Sequence, residues 1–125
     1  LWFIRAVNDW LGAGLVPDIA DLETATGLSR RQIERQCKQY FGAPPKFLAR
    51  KYRALRSANA IANGQGDWQD FIDEAYYDQP HFIREIKEFT GMTPGAIRNA
   101  TSPISSLTFA RAKLAGEVMP LVSAT

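Results

Sequence analysis

Arg31, Glu34, Arg35 and Lys38 are the residues of this chain whose type and spacing most readily do chemistry. Ile33 and Cys37 stand four apart and belong on the inner side of one helix, which puts those four on its outer side. A guanidinium so placed can donate two hydrogen bonds to guanine O6 and N7, and a carboxylate can accept from cytosine N4. A lysine brings positive charge to a phosphate. The pattern is written twice. Moved forward by 49 positions, residues 19–45 lie on residues 68–94. Arg35 then falls on Arg84, Lys38 on Lys87, Tyr40 on Phe89, Gly42 on Gly91 and Pro45 on Pro94. Apolar positions keep register as well: Ile19 with Trp68, Leu22 with Phe71, Leu28 with Tyr77, Ile33 with Phe82 and Cys37 with Ile86. A fixed offset of this kind marks one supersecondary unit used twice. Two basic units at one spacing suit a repeating target such as successive turns of DNA.

In the second copy Phe82 and Ile86 face inward, which leaves Gln79, Pro80, Ile83 and Arg84 outside. Glutamine can read adenine, and Pro80 and Ile83 can touch thymine methyl groups. This half is weaker in charge. Residues 29–56 hold nine Lys or Arg and one acid, whereas residues 67–88 hold seven acids and two bases. The first block reads as a phosphate-binding surface. The acids of the second are expected to turn away from phosphate or to pair with Arg50, Arg53 or Arg56.

Elements that position these residues follow from caps and periodicity. Trp2, Phe3, Val7, Trp10 and Leu11 recur at helical spacing, so residues 2–12 read as an amphipathic helix, ended by Gly12 and Gly14. Asp18 caps a short helix to residue 26, and Gly27-Leu28 turns the chain. Ser29 with Gln32 is a capping-box pair, opening a helix that stops at Gly42, a left-handed C-terminal glycine. Short helix, glycine turn and capped helix form a helix-turn-helix. Pro45 opens a long helix to residue 62, roughly 27 Å in length. Asp67 caps residues 68–75, and Asp78 caps a helix ending at Gly91, with Pro80 in its first turn. Thr93-Pro94 opens a last short helix. The expected fold is all-α: a first helix-turn-helix over 18–42, a linker helix over 45–62, a second helix-turn-helix over 67–91, and a tail over 101–125 with a helical stretch around 107–118.

Bulk properties exclude several classes. The chain has 125 residues and a net charge of +2, enough for one domain or a pair of small subdomains. No apolar run approaches the 18 or so residues of a membrane span. One cysteine rules out an internal disulfide and fits a reducing, cytoplasmic compartment; with a single histidine it cannot form an ordinary zinc site. No nucleophile–base pair, glycine-rich phosphate loop or metal cluster points to an enzyme, and no cofactor is expected. His81 reads as a hydrogen-bonded residue of a first helical turn, and Cys37 as a small buried hydrophobe. Trp68, Tyr76 and Tyr77 read as core. A chain opening at Leu1 without methionine is expected to be a fragment.

Gly27-Leu28-Ser29-Arg30-Arg31-Gln32-Ile33-Glu34-Arg35, the Gly42-Ala43-Pro44-Pro45 step, and Asp78-Gln79-Pro80-His81-Phe82-Ile83-Arg84-Glu85 followed by Phe89-Thr90-Gly91-Met92-Thr93-Pro94 together resemble the AraC/XylS family of bacterial transcription regulators. The resemblance covers residues 18–98. It implies two helix-turn-helix subdomains joined by a long helix, with double-stranded DNA and RNA polymerase as partners and an effector or dimerisation domain upstream. Carried over by register, the base-reading positions of the first unit land on Arg31, Glu34 and Arg35, and those of the second on Gln79, Pro80, Ile83 and Arg84. Arg30, Lys38, Lys46, Arg50 and Lys87 are the expected phosphate contacts; neutralising about five or six phosphates gives a log–log salt slope near −5. Of the linker-helix cations Lys46, Arg50, Lys51, Arg53 and Arg56, the first two are expected nearest the DNA. One departure stands out. Similar domains have a glycine in the second turn, whereas Ala75-Tyr76-Tyr77 has none and the segment is one residue short. The alternative from another class is a degenerate helix-turn-helix module serving protein–protein interaction through its acidic half.

Overall fold

The computed structural model describes residues 1–65 and 68–100, and of Trp68 the backbone alone. The expected cap at Asp67 and the tail over 101–125 lie outside the described residues. Those described form seven helices: α1 (Trp2–Gly12), α2 (Ile19–Thr26), α3 (Arg30–Phe41), α4 (Pro45–Ala62), α5 (Trp68–Ala75), α6 (Gln79–Thr90) and α7 (Pro94–Ala100). The bounds of α2, α3, α5 and α6 keep the 49-residue offset without a gap, so the repeat in sequence is a repeat in structure.

Side chains placed at the helix ends set those bounds. The Asp18 carboxylate accepts from the Ala20 amide at 3.0 Å and starts α2. Ser29 and Gln32 form a reciprocal capping box at α3: the Ser29 hydroxyl accepts from the Gln32 amide, and the Gln32 side chain accepts from the Ser29 amide. Asp78 repeats one half of this arrangement at α6, accepting from the His81 amide at 2.8 Å. Gly42 and Gly91 end α3 and α6 in the left-handed conformation, at φ 78° and 79°. Helix α1 ends differently, with Ala13 in the right-handed region.

Two cores form around the two ends of α4. Phe3, Val7, Trp10 and Leu11 of α1, Leu22 of α2, and Ile33 and Cys37 of α3 close over Leu48. Ala54, Ala58, Ile61 and Ala62 of the same helix pack with Ile72, Tyr76, Phe82, Ile86 and Ile97. Full burial of a large apolar side chain contributes about 1.5–3 kcal/mol, so each unit has a core of its own. The small residues of the α4 C-terminal half let α6 and α7 approach closely. The Trp10 indole N–H donates to the Asp18 carbonyl at 2.7 Å, tying α1 to the first unit.

The two turns solve one problem with different residues. Gly27 closes α2 at φ 71°, and its amide donates to Glu23 O at 2.8 Å. Its counterpart Tyr76 makes the matching bond to Ile72 O at 3.1 Å, yet no residue other than glycine has positive φ among those described. A tyrosine would be strained in the left-handed region, so the second turn takes another path. Tyr76 goes into the core, edge-on to Phe82 at 4.9 Å between ring centroids. Tyr77, expected in the core opposite Leu28, is instead 92% exposed. The inward role passes to Tyr76, which packs in the second core while Tyr77 faces solvent.

Candidate nucleic-acid interface

Helix α3 is anchored by Ile33 and Cys37, both fully buried, so one side is fixed against the core. Arg30, Arg31, Glu34, Arg35 and Lys38 are all exposed. Arg31, Arg35 and Lys38 succeed one another at intervals of four and three, which places them along one stripe of the helix. Arg30 and Glu34 form the neighbouring stripe and turn toward a cleft between the two units. That cleft, of about 980 Å³, is also lined by Lys46, Ala49, Arg50 and Arg53 of α4 and by His81 of α6. The structure thus brings together Arg30, Glu34 and Lys46 around the junction, with Arg31, Arg35 and Lys38 on the adjoining outer face.

Helix α6 is built in the same way. Phe82 and Ile86 are fully buried, Gln79, Pro80, Arg84 and Lys87 are exposed, and Ile83 is half-buried. Pro80 sits in the first turn, where a missing amide hydrogen costs no helical bond. The ion pairs found among the described residues leave Arg84 and Lys87 uninvolved.

Two acids of the second unit, Glu85 and Glu88, pair with arginines of the linker helix. Glu85 is buried, with its side chain 1% exposed. It accepts from Arg53 Nη2 at 2.6 Å and Nε at 2.9 Å, and from Arg50 Nε at 3.1 Å. Arg50 Nη2 donates to Glu88 at 2.9 Å. Burial opposes ionisation of Glu85, but hydrogen bonds from Arg53 and Arg50 and the charge of Arg53 outweigh it and hold its carboxyl below the usual carboxylate range. Arg53 also donates from Nη1 to the Ala75 carbonyl at 3.1 Å, and its guanidinium lies over the Tyr76 ring at 4.4 Å. One side chain of α4 therefore holds the end of α5, the turn, and the middle of α6. Arg50, expected near the DNA from the sequence, has its donors turned to Glu85 and Glu88. Arg56 stacks on Tyr52 instead of joining this network.

Two residues that invite catalytic readings have ordinary roles. His81 Nδ1 accepts from the Tyr77 amide at 3.3 Å, bracing the turn against the first turn of α6. Burial, reinforced by the charge of Glu34, pushes the Cys37 thiol up to about 12, so it packs as an apolar group. Among the described residues no group of three His, Cys, Asp or Glu could hold a metal ion, and no helix is long and apolar enough to cross a membrane.

A short helix, a tight turn and a capped helix with an exposed polar face, present twice on one linker helix, define a tandem helix-turn-helix domain. The family model described as a helix-turn-helix domain matches residues 22–100, well over half of the chain. The chain belongs to this family, the DNA-binding helix-turn-helix domains of AraC type associated with transcription regulation. No curated protein and no solved structure gives a significant match.

Proposed function

We propose that the chain is the sequence-specific DNA-reading part of a transcription regulator, binding duplex DNA with α3 in one major groove and α6 in the next on the same face. The observation that carries this reading is the conserved 49-residue register: each unit presents, on a capped helix with two buried anchors, an exposed arginine at the equivalent position, Arg35 and Arg84. In α3, Arg31 and Arg35 donate to guanine edges and Glu34 accepts from cytosine. In α6, Gln79 and Arg84 supply hydrogen bonds, and Pro80 and Ile83 supply apolar contact to thymine methyl groups. Arg30, Lys38, Lys46 and Lys87 meet phosphates. Arg50 leaves that set and serves the junction between α4 and α6. Four phosphate contacts correspond to a log–log salt slope of about −4.

The first unit carries more of the affinity because Arg31, Arg35 and Lys38 lie together on its exposed outer face. The second works in a field softened by Arg50 and Arg53 pairing, and suits an A·T-rich half-site. RNA polymerase and an effector or dimerisation domain elsewhere in the protein are the partners this role calls for, and a cytoplasmic location follows from it. Selection of bound duplexes from a random DNA pool tests the reading: enriched sequences with two blocks spaced by about one helical turn are expected, whereas no enrichment over the starting pool contradicts it.

A further inference from the structure

Among the large hydrophobic side chains described, the most exposed stands at the start of α6. Tyr77 is 92% exposed and directly precedes Asp78, the N-cap of α6. Its backbone is fixed: the Tyr77 amide donates to His81 Nδ1, one residue before the Asp78 cap bonds to the His81 amide. Its neighbour Tyr76 is buried and held between Phe82, His81 and Arg53. A tyrosine that projects into solvent from a backbone pinned on both sides is a preorganised contact. No such group exists in the first unit, where the equivalent Leu28 is half-buried against the core.

We propose that Tyr77 grips the DNA backbone at the edge of the second major groove, its hydroxyl donating to one phosphate oxygen and its ring lying on the adjoining deoxyribose. This rests on α6 entering a major groove. A helix that enters by its N-terminus brings the residue before its N-cap to the groove wall, where sugar and phosphate lie. The neutral phenol suits this half of the molecule. It binds phosphate by a hydrogen bond alone, and its ring loses little conformational entropy on contact because it has only two rotatable side-chain bonds. The contact fixes the register of α6, so it serves Gln79 and Arg84 without reading a base itself.

The test uses the whole chain and a duplex selected from the random pool, with wild type, Tyr77→Phe, Tyr77→Ala and Arg35→Ala compared. Tyr77→Phe is expected to bind about 10- to 100-fold more weakly, as loss of one hydrogen bond to a charged acceptor implies, and Tyr77→Ala more weakly still. Single methylphosphonate substitutions along the second half-site then locate the acceptor. At one position wild type should lose about as much as Tyr77→Phe, while Tyr77→Phe loses nothing further. Wild-type affinity in Tyr77→Phe, or the lack of any such position, overturns the proposal; if Arg35→Ala still loses affinity, the DNA-binding reading survives it. A wild-type chain that binds no duplex above background overturns both.

Discussion

Arg53 on the linker helix donates to both carboxylate oxygens of Glu85 on the second reading helix, at 2.6 and 2.9 Å, although the two residues stand 32 apart in the chain. The carboxylate is almost wholly buried, and the arginine side chain is 12% exposed. Removing this cation leaves the buried carboxylate with Arg50 as its remaining guanidinium partner, which is costlier than losing a surface ion pair. Arg53→Ala is therefore expected to destabilise the chain by about 3 kcal/mol, measured by urea denaturation. Since Arg53 also holds the Ala75 carbonyl, the loss should fall on the second unit; amide exchange should quicken in α5 and α6 before α3.

Acid should act through the same pair. Folding lowers the Glu85 carboxyl from an ordinary value of 4.5, so the unfolded chain binds its proton more readily. Its contribution to stability is complete above that ordinary value and declines as pH falls through the lower, folded value. A stability–pH profile should show a decline below about pH 4.5 that is reduced in Glu85→Gln, a variant that starts less stable at neutral pH.

Gly27 and Tyr76 predict losses of different size on substitution. Gly27 has φ 71°, and an added Cβ would meet no atom within 4 Å, so Gly27→Ala carries a conformational cost alone of about 1–2 kcal/mol. Tyr76→Gly removes a buried ring from the second core and should cost about 3–5 kcal/mol. Thermal unfolding of the two variants checks the order; a larger loss in Gly27→Ala would mean that the turns are not built as described.

Much of this was legible from local chemistry. Asp18, Ser29 with Gln32, Gly42, Pro45, Asp78 and Gly91 each act within a few residues of themselves, and each marks the helix end it was read to mark. Tyr77 was misplaced because register with Leu28 says nothing about a turn that lacks its glycine; only the path of the backbone decides which of two adjacent rings goes in. Pairing of the acidic block with linker-helix arginines was foreseeable from charge balance. That Arg50 and Arg53 do it, and not Arg56, depends on how α6 crosses α4, which no local pattern encodes.

Arg35 and Lys38 should separate by function. Arg35→Ala is expected to cost about 1–3 kcal/mol on the selected duplex and to relax preference at one base pair. Lys38→Ala should weaken selected and random duplexes alike and make the salt slope shallower by about one unit. Equal behaviour of the two variants would reassign Arg35 to phosphate.

The central claim is that one rigid chain reads two successive major grooves with Arg35 and Arg84 at equivalent places. Methylation-protection footprinting of the selected duplex tests it most directly, with wild type, Arg35→Ala and Arg84→Ala side by side. Two protected major-groove blocks about 10 base pairs apart are expected. Arg35→Ala should lose the first and most of the affinity, and Arg84→Ala the second with a smaller loss. A single protected block in wild type, or one pattern of loss shared by both variants, would contradict the account.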